Sequence, residues 1–342
     1  MKKRTSRLWR ALPLVLALVV LALCAAAGAK PRVVTTLFPV YDWTRAIIGE
    51  RAGQVELEPP LNTGVDLHSF QPSVDDILRI SSCDLFVYVG GESDAWVKRV
   101  LRKAADNKPA VISLIEALGP RARAEEAVEG MERGHHHHEH HEHHKEEHDR
   151  HEHEKDHGHE HDEGPELDEH VWLSLVNARL LCARIADALS GIDPDGAAVY
   201  RANAAAYVAR LDELDAEYRA AAEAAKHTTL LFADRFPFRY LADDYGLSYY
   251  AAFQGCSAES EASFKTILFL ANKLDELDLP CVLTIEGSAQ KIAETVVRTA
   301  KSRKPILTLD SMQSVRAADV ERGPGYIEIM KRNLETLKQA LR

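Results

Sequence analysis

Three histidines stand apart from the rest. Of seventeen in the chain, fourteen fall between positions 135 and 161, leaving His68, His170 and His227. His68 lies in GVDLHSFQPS and His170 in DEHVWLS. Both sit where a loop gives way to a helix, a place from which a ring can point into a cleft. His227 precedes a strand and reads as a boundary residue. Three apolar runs end in carboxylates: TTLLFAD in Asp234, CVLTIE in Glu286 and PILTLD in Asp310. Imidazoles and carboxylates together are ligands for a divalent cation. Each also has a plainer use, since Asp caps helices and Glu accepts backbone amides. These groups lie far apart along the chain, so only a fold can gather them.

The elements that must do so alternate. PRVVTTLFPVYDWTRAIIG reads as strand, turn and helix, the helix from about Tyr41 to Gly49; DLFVYVGG reads as a strand, PSVDDILRISSC and ESDAWVKRVLRKAA as helices, and PAVISLIEAL ends this half. QVELEPPL reads as a further strand broken by Pro59 and Pro60. Ser73 and Asp76 have capping-box spacing. The run DLFVYVGG is apolar throughout, as a buried parallel strand requires. The second half repeats the pattern through TTLLFAD, LSYYAAF, CVLTIEG and PILTLD, separated by helical stretches and closed by YIEIMKRNLETLKQALR. This alternation predicts an α/β fold with mostly parallel sheets flanked by helices. Between the halves, Tyr200, Tyr207, Leu211, Leu214 and Tyr218 share one face of a long helix. About thirty residues of helix would run ~45 Å and act as a rigid connector. In open parallel sheets, ligands bind beyond the carboxyl ends of the strands. Asp234, Glu286 and Asp310 all fall at that edge.

The expected organisation is an export signal over 1–29, a first lobe over 30–119, an insertion over 120–166, a return to the first lobe over 167–192, a linker helix over 193–227 and a second lobe over 228–342. The basic MKKRTSRLWR and the apolar LPLVLALVVLALCAAAG form the signal, with cleavage near Ala29. Lipid attachment at Cys24 is the alternative, although Leu23 is bulky for that pattern. Either places the protein outside the cytoplasm, in the periplasm or on the outer face of the membrane. A net charge of -11 and the lack of a basic stripe exclude nucleic acid as a partner. The five cysteines match no zinc knuckle. Cys256 and Cys281 read as small buried side chains, with pairing as the other option.

The insertion holds almost no large apolar residues and reads as a solvated segment. Three readings of its many imidazoles stay open: an inert solvated loop, a store that concentrates weakly held zinc beside His170, or a sensor that orders when zinc is in excess; the last two would lose the metal on protonation. His153 to His157 fits the HExxH pattern, but that motif needs a helix with a buried face, which this segment lacks. A zinc-dependent hydrolase would need a general base, for which only Glu286 is spare. The chain is therefore read as no enzyme.

The order of parts resembles the metal-binding proteins of ABC importers for zinc and manganese. DLHSFQPSVDDI is similar to that family's His-containing loop, and DEHVWLSLVNARLLCARIADAL to its second motif. The resemblance implies two α/β lobes, no catalysis, a monomer and a permease partner in the membrane. It implies His68 and His170 as first-lobe ligands and Asp310 as a second-lobe ligand. At the third position relatives carry His or Glu, and counting back from the Tyr-Gly-Leu of FADRFPFRYLADDYGL places Arg235 there. A guanidinium cannot ligate a metal, so the neighbouring Asp234 is taken as the ligand, with a water or Glu286 as alternatives. Glu169 also departs from the pattern, standing where Pro is usual. The cargo so implied is Zn²⁺, with Mn²⁺ or Ni²⁺, or a plain metal buffer, as alternatives.

Overall fold

The computed structural model describes residues 29–103, 109–132, 166–257 and 261–342. Cys24, the apolar run around it and the histidine run at 135–161 lie outside the described residues.

Two four-stranded parallel sheets carry the fold. The first contains β1 (Arg32–Thr35), β2 (Glu56–Leu57), β3 (Leu85–Tyr88) and β4 (Ala110–Ser113), in the order β2-β1-β3-β4. The second contains β5 (Thr229–Phe236), β6 (Ser248–Gln254), β7 (Val282–Ile285) and β8 (Ile306–Leu309), in the order β6-β5-β7-β8. Both lobes thus have the same arrangement. β3 is buried at every position, as its unbroken apolar sequence demands. β2 is only two residues long, because the prolines just beyond it cannot extend a ladder. The pairing of β5 with β6 shifts register between Phe232 and Arg235, so Asp234 sits in an irregular stretch.

The helix ends follow local chemistry. Ser73 caps the helix Val74–Ser82, accepting from Asp76 N while the Asp76 carboxylate accepts from Ser73 N. The helix Arg239–Tyr245 stops at Gly246, which takes φ 64°. The linker is a 27-residue helix, Ala197–Glu223. Its Tyr200, Tyr207, Leu211, Leu214 and Tyr218 are all buried, on the face the spacing predicted.

One apolar core runs through both lobes and the linker helix. Trp43, in the helix Phe38–Ile48 of the first lobe, meets Tyr326 of the C-terminal helix Tyr326–Ala340 edge to face, with centroids 5.1 Å apart. The buried Asp42 carboxylate accepts from Tyr326 N at 2.9 Å and from Tyr207 Oη at 3.5 Å. First lobe, linker and second lobe therefore converge on one side chain.

The margin of the expected insertion is ordered. Residues 120–132 pair with the segment that re-enters the first lobe, through Glu125 N to Glu166 O and Asp168 N to Arg123 O. Glu132 N donates to Ala252 O of β6, and Met131 is buried. This stretch belongs to the folded protein because its few apolar groups and its backbone are both used.

Candidate metal site

Two of the sequence-selected residues meet. His68 lies in a 3-10 turn, Leu67–Ser69, started by Asp66, whose side chain accepts from His68 N. His170 precedes a second such turn, Val171–Leu173. Their Nε2 atoms are 3.2 Å apart. That separation suits two neutral imidazoles turned toward one cation.

The rings are held from behind. His170 is fully buried, and its Nδ1 lies 2.9 Å from Asp168 Oδ1, which also accepts from His170 N at 2.9 Å. A carboxylate behind Nδ1 keeps that nitrogen protonated and leaves the Nε2 lone pair facing the site. Burial opposes a charge on His170. Asp168, with Glu125 and Glu169, outweighs it and raises the ring's pKa. His68 moves the other way, to about 3, because burial and then the neighbouring His170 disfavour its cation. Its Nδ1 is 2.8 Å from Ser93 Oγ and 3.4 Å from Glu169 Oε2. Glu169 also accepts from Ser93 N at 2.8 Å. It therefore braces the loop behind His68, and burial lifts its carboxyl to about 7.

The second lobe closes over this pair. Trp172 Nε1 donates to Ser311 O at 2.8 Å, and Gln313 Oε1 lies 3.3 Å from His170 Nε2. Glu286 shapes that loop by accepting from Ser311 N, Ser311 Oγ and Gln313 N. This is the plainer use that its sequence allowed. Burial, then the nearby Asp310, pushes the Glu286 carboxyl to about 7. Arg235 Nη2 pairs with Asp66 at 2.6 Å across the lobes, and Nη1 donates to Ser257 O at 3.4 Å.

Asp310 directly follows β8, at the carboxyl edge of the second sheet, whereas Asp234 lies within β5, which runs two residues further, to Phe236. Among the described residues, neither joins a group of three or more ligand-type side chains within 4.8 Å of one another. Asp234 accepts from Arg235 N at 2.9 Å and Ile285 N at 3.4 Å. Asp310 Oδ1 accepts from Met312 N at 2.9 Å, holding Met312 at φ 60°. Two groups do form: His68, His170 and Cys256, and Glu125, Asp168 and His170.

The family of the zinc-uptake complex component A, periplasmic, or ZnuA, matches residues 33–340. The chain belongs to the ZnuA family. The zinc-binding protein AdcA of Streptococcus pyogenes is 31% identical over 312 residues, 91% of this chain and 56% of that protein. The chain thus spans about half the length of that relative. The high-affinity zinc uptake system protein ZnuA of Bacillus subtilis is 29% identical over 314 residues, 92% of this chain and 88% of the relative. Among solved structures, the Zn(II)-bound ZnuA-like domain of Streptococcus pneumoniae AdcA is similar with TM-score 0.66 at 27% identity, covering 92% of this chain and 99% of that one. The metal-dependent lipoprotein YcdH of Bacillus subtilis gives TM-score 0.69 at 25% identity over 91% and 99% of the two chains.

Within this ZnuA-family chain, Cys256, Glu125 and Asp168 are the residues of these two groups that sequence reading passed over. Cys256 follows β6, so the strand-edge rule that picked out the carboxylates applied to it equally. The four cysteines among the described residues are free thiols. Burial, then Glu125, Asp168 and Glu169, pushes the Cys256 thiol far above its ordinary range. Glu125 lay in a stretch whose composition read as insertion.

Proposed function

We propose that the chain is an extracytoplasmic binding protein that captures Zn²⁺ between its lobes and delivers it to the membrane permease of an ABC-type importer. The observation that carries this is the pair of imidazoles, Nε2 to Nε2 at 3.2 Å, with His170 fixed by Asp168. Such a pair suits a tetrahedral ion with nitrogen ligands at about 2.0–2.1 Å. The names of the AdcA and ZnuA relatives, both zinc proteins, support the choice of cargo. The chain performs no chemistry on its cargo. Among the described residues no helix is long and apolar enough to cross a membrane.

Calorimetric titration of Zn²⁺ and Mn²⁺ into protein lacking residues 135–161 tests this. One tight Zn²⁺ site should survive there and weaken strongly in His170→Ala. If the deletion removes all tight binding, the histidine run is the binding element and the proposal fails.

A further inference from the structure

Around the two imidazoles, the second lobe offers few atoms that can ligate. Gln313 Oε1, 3.3 Å from His170 Nε2, is a neutral oxygen. Asp234 accepts from the amides of Arg235 and Ile285 and Asp310 Oδ1 from that of Met312, and neither carboxylate joins the histidine cluster. Arg235, at the position where the resemblance placed a ligand, has spent its guanidinium on Asp66 and Ser257 O. The Cys256 sulfur lies with His68 and His170, all three ligand atoms within 4.8 Å of one another. We propose that Cys256 is the second lobe's metal ligand, binding as a thiolate to make a two-nitrogen, one-sulfur set with His68 and His170.

The inference rests on the zinc-site proposal and deepens it by naming the donor that selects the ion. The loop is built for this approach. Gly255 has no side chain, and a Cβ there would come within 3.0 Å of His170 Cε1 and 2.9 Å of Phe236 O. The backbone next to Cys256 therefore lies directly against the ring. Cys256 N donates to Glu125 Oε1 at 3.2 Å, which ties the loop to the segment preceding the histidine run. Arg235 joins the loop bearing His68, through Asp66, to the loop bearing Cys256, through Ser257. A cross-lobe clamp thus occupies the place of a ligand, and the ligand stands in the loop that follows the neighbouring strand.

The distances are compatible with closure on an ion. Bonds of roughly 2.0–2.1 Å to nitrogen and roughly 2.3 Å to sulfur set tetrahedral ligand atoms about 3.5 Å apart. From separations within 4.8 Å, shifts on the order of 1 Å in the side chains suffice. On binding, the S–H bond breaks, its proton passes to solvent, and the sulfur lone pair forms the metal bond. Thiolate is a soft donor that favours Zn²⁺ and disfavours Mn²⁺, which prefers oxygen. The cysteine would then supply the selectivity that a third imidazole supplies elsewhere.

The test is one equivalent of Co²⁺ added to the full chain under reducing conditions. The expected result is a sulfur-to-cobalt charge-transfer band in the near ultraviolet, lost on adding Zn²⁺ and absent from Cys256→Ser. That variant should also lose more than about 100-fold in Zn²⁺ affinity, beyond the 10–100-fold typical of residues behind the ligands. Its ratio of Zn²⁺ to Mn²⁺ affinity should narrow. Asp234→Asn and Asp310→Asn should keep the band. No band in the wild-type protein, or one that survives in Cys256→Ser, overturns the inference. If Zn²⁺ still binds tightly and depends on His170 in that case, the zinc reading stands without the cysteine. If His170→Ala changes nothing, that reading fails as well. The wild-type spectrum requires no variant to fold, and circular dichroism checks those that are made.

Discussion

Replacing Asp168 by asparagine separates orientation of a ligand from ligation itself. Asp168 is buried and touches His170 twice, through the ring Nδ1 and the backbone N, each at 2.9 Å. Asparagine keeps the size but removes the charge that holds the Nδ1 proton. Because the single oxygen Oδ1 serves both contacts, the amide either keeps both as a weaker, neutral acceptor or turns its NH₂ toward both, losing the backbone bond and stabilising the wrong tautomer. Partners of this kind cost 10–100-fold in metal affinity when removed, or about 1.4–2.7 kcal/mol. The same loss should appear in melting experiments, because stabilisation by a ligand follows the logarithm of its concentration over Kd. At a fixed, saturating Zn²⁺ concentration, the extra stability conferred by metal should fall by about 1.4–2.7 kcal/mol. The assay is competitive Zn²⁺ titration against a chelator, paired with thermal melts with and without metal. Unchanged affinity in Asp168→Asn, alongside severe loss in His170→Ala, would refute the claim that Asp168 sets the tautomer.

The same geometry governs other outcomes. Zn²⁺ affinity should fall as pH drops through the raised pKa of His170, since a proton on Nε2 competes with the metal; titration across neutral pH reads this. His68 should stay neutral in the metal-free protein down to about pH 3, observable in ring NMR shifts. Its depressed pKa means that its share of stability is complete above the ordinary imidazole value and is lost as pH falls toward 3. Gly255→Ala should weaken Zn²⁺ binding and cost about 1–3 kcal/mol of stability, because the new methyl meets backbone and ring. Gly246→Ala should cost roughly 1–2 kcal/mol at its left-handed cap yet leave Zn²⁺ affinity unchanged. Trp172→Phe orphans the buried carbonyl of Ser311 and should lower stability by about 1–3 kcal/mol in denaturant melts.

The central strands were legible because parallel strands buried on both faces need apolar runs, and LFVY and, but for Thr284, VLTI are such runs. Helix limits at Ser73 and Gly246 were legible because caps are local chemistry. His68 and His170 were found as isolated imidazoles in loops and strengthened by family motifs. The second-lobe side of the site was harder to read. A strand edge shows which residues arrive there, but not which backbone amides will engage their carboxylates. Asp234, Glu286 and Asp310 all accept from such amides. Cys256 gave no spacing signal, because its companions lie in distant segments. Residues 120–132 merged with the charged run by composition, although Met131 and a few backbone pairs anchor them.

On the proposed function, Asp42 sets a condition on how the bound ion is let go. By accepting from the first amide of the C-terminal helix and from the linker's Tyr207, it ties the two halves and the linker together. On that same reading, a docking permease gains little by prying the halves apart. Release is better achieved by peeling back one ligand-bearing loop at a time, and a receiving surface that offers replacement donors need disturb only a handful of residues.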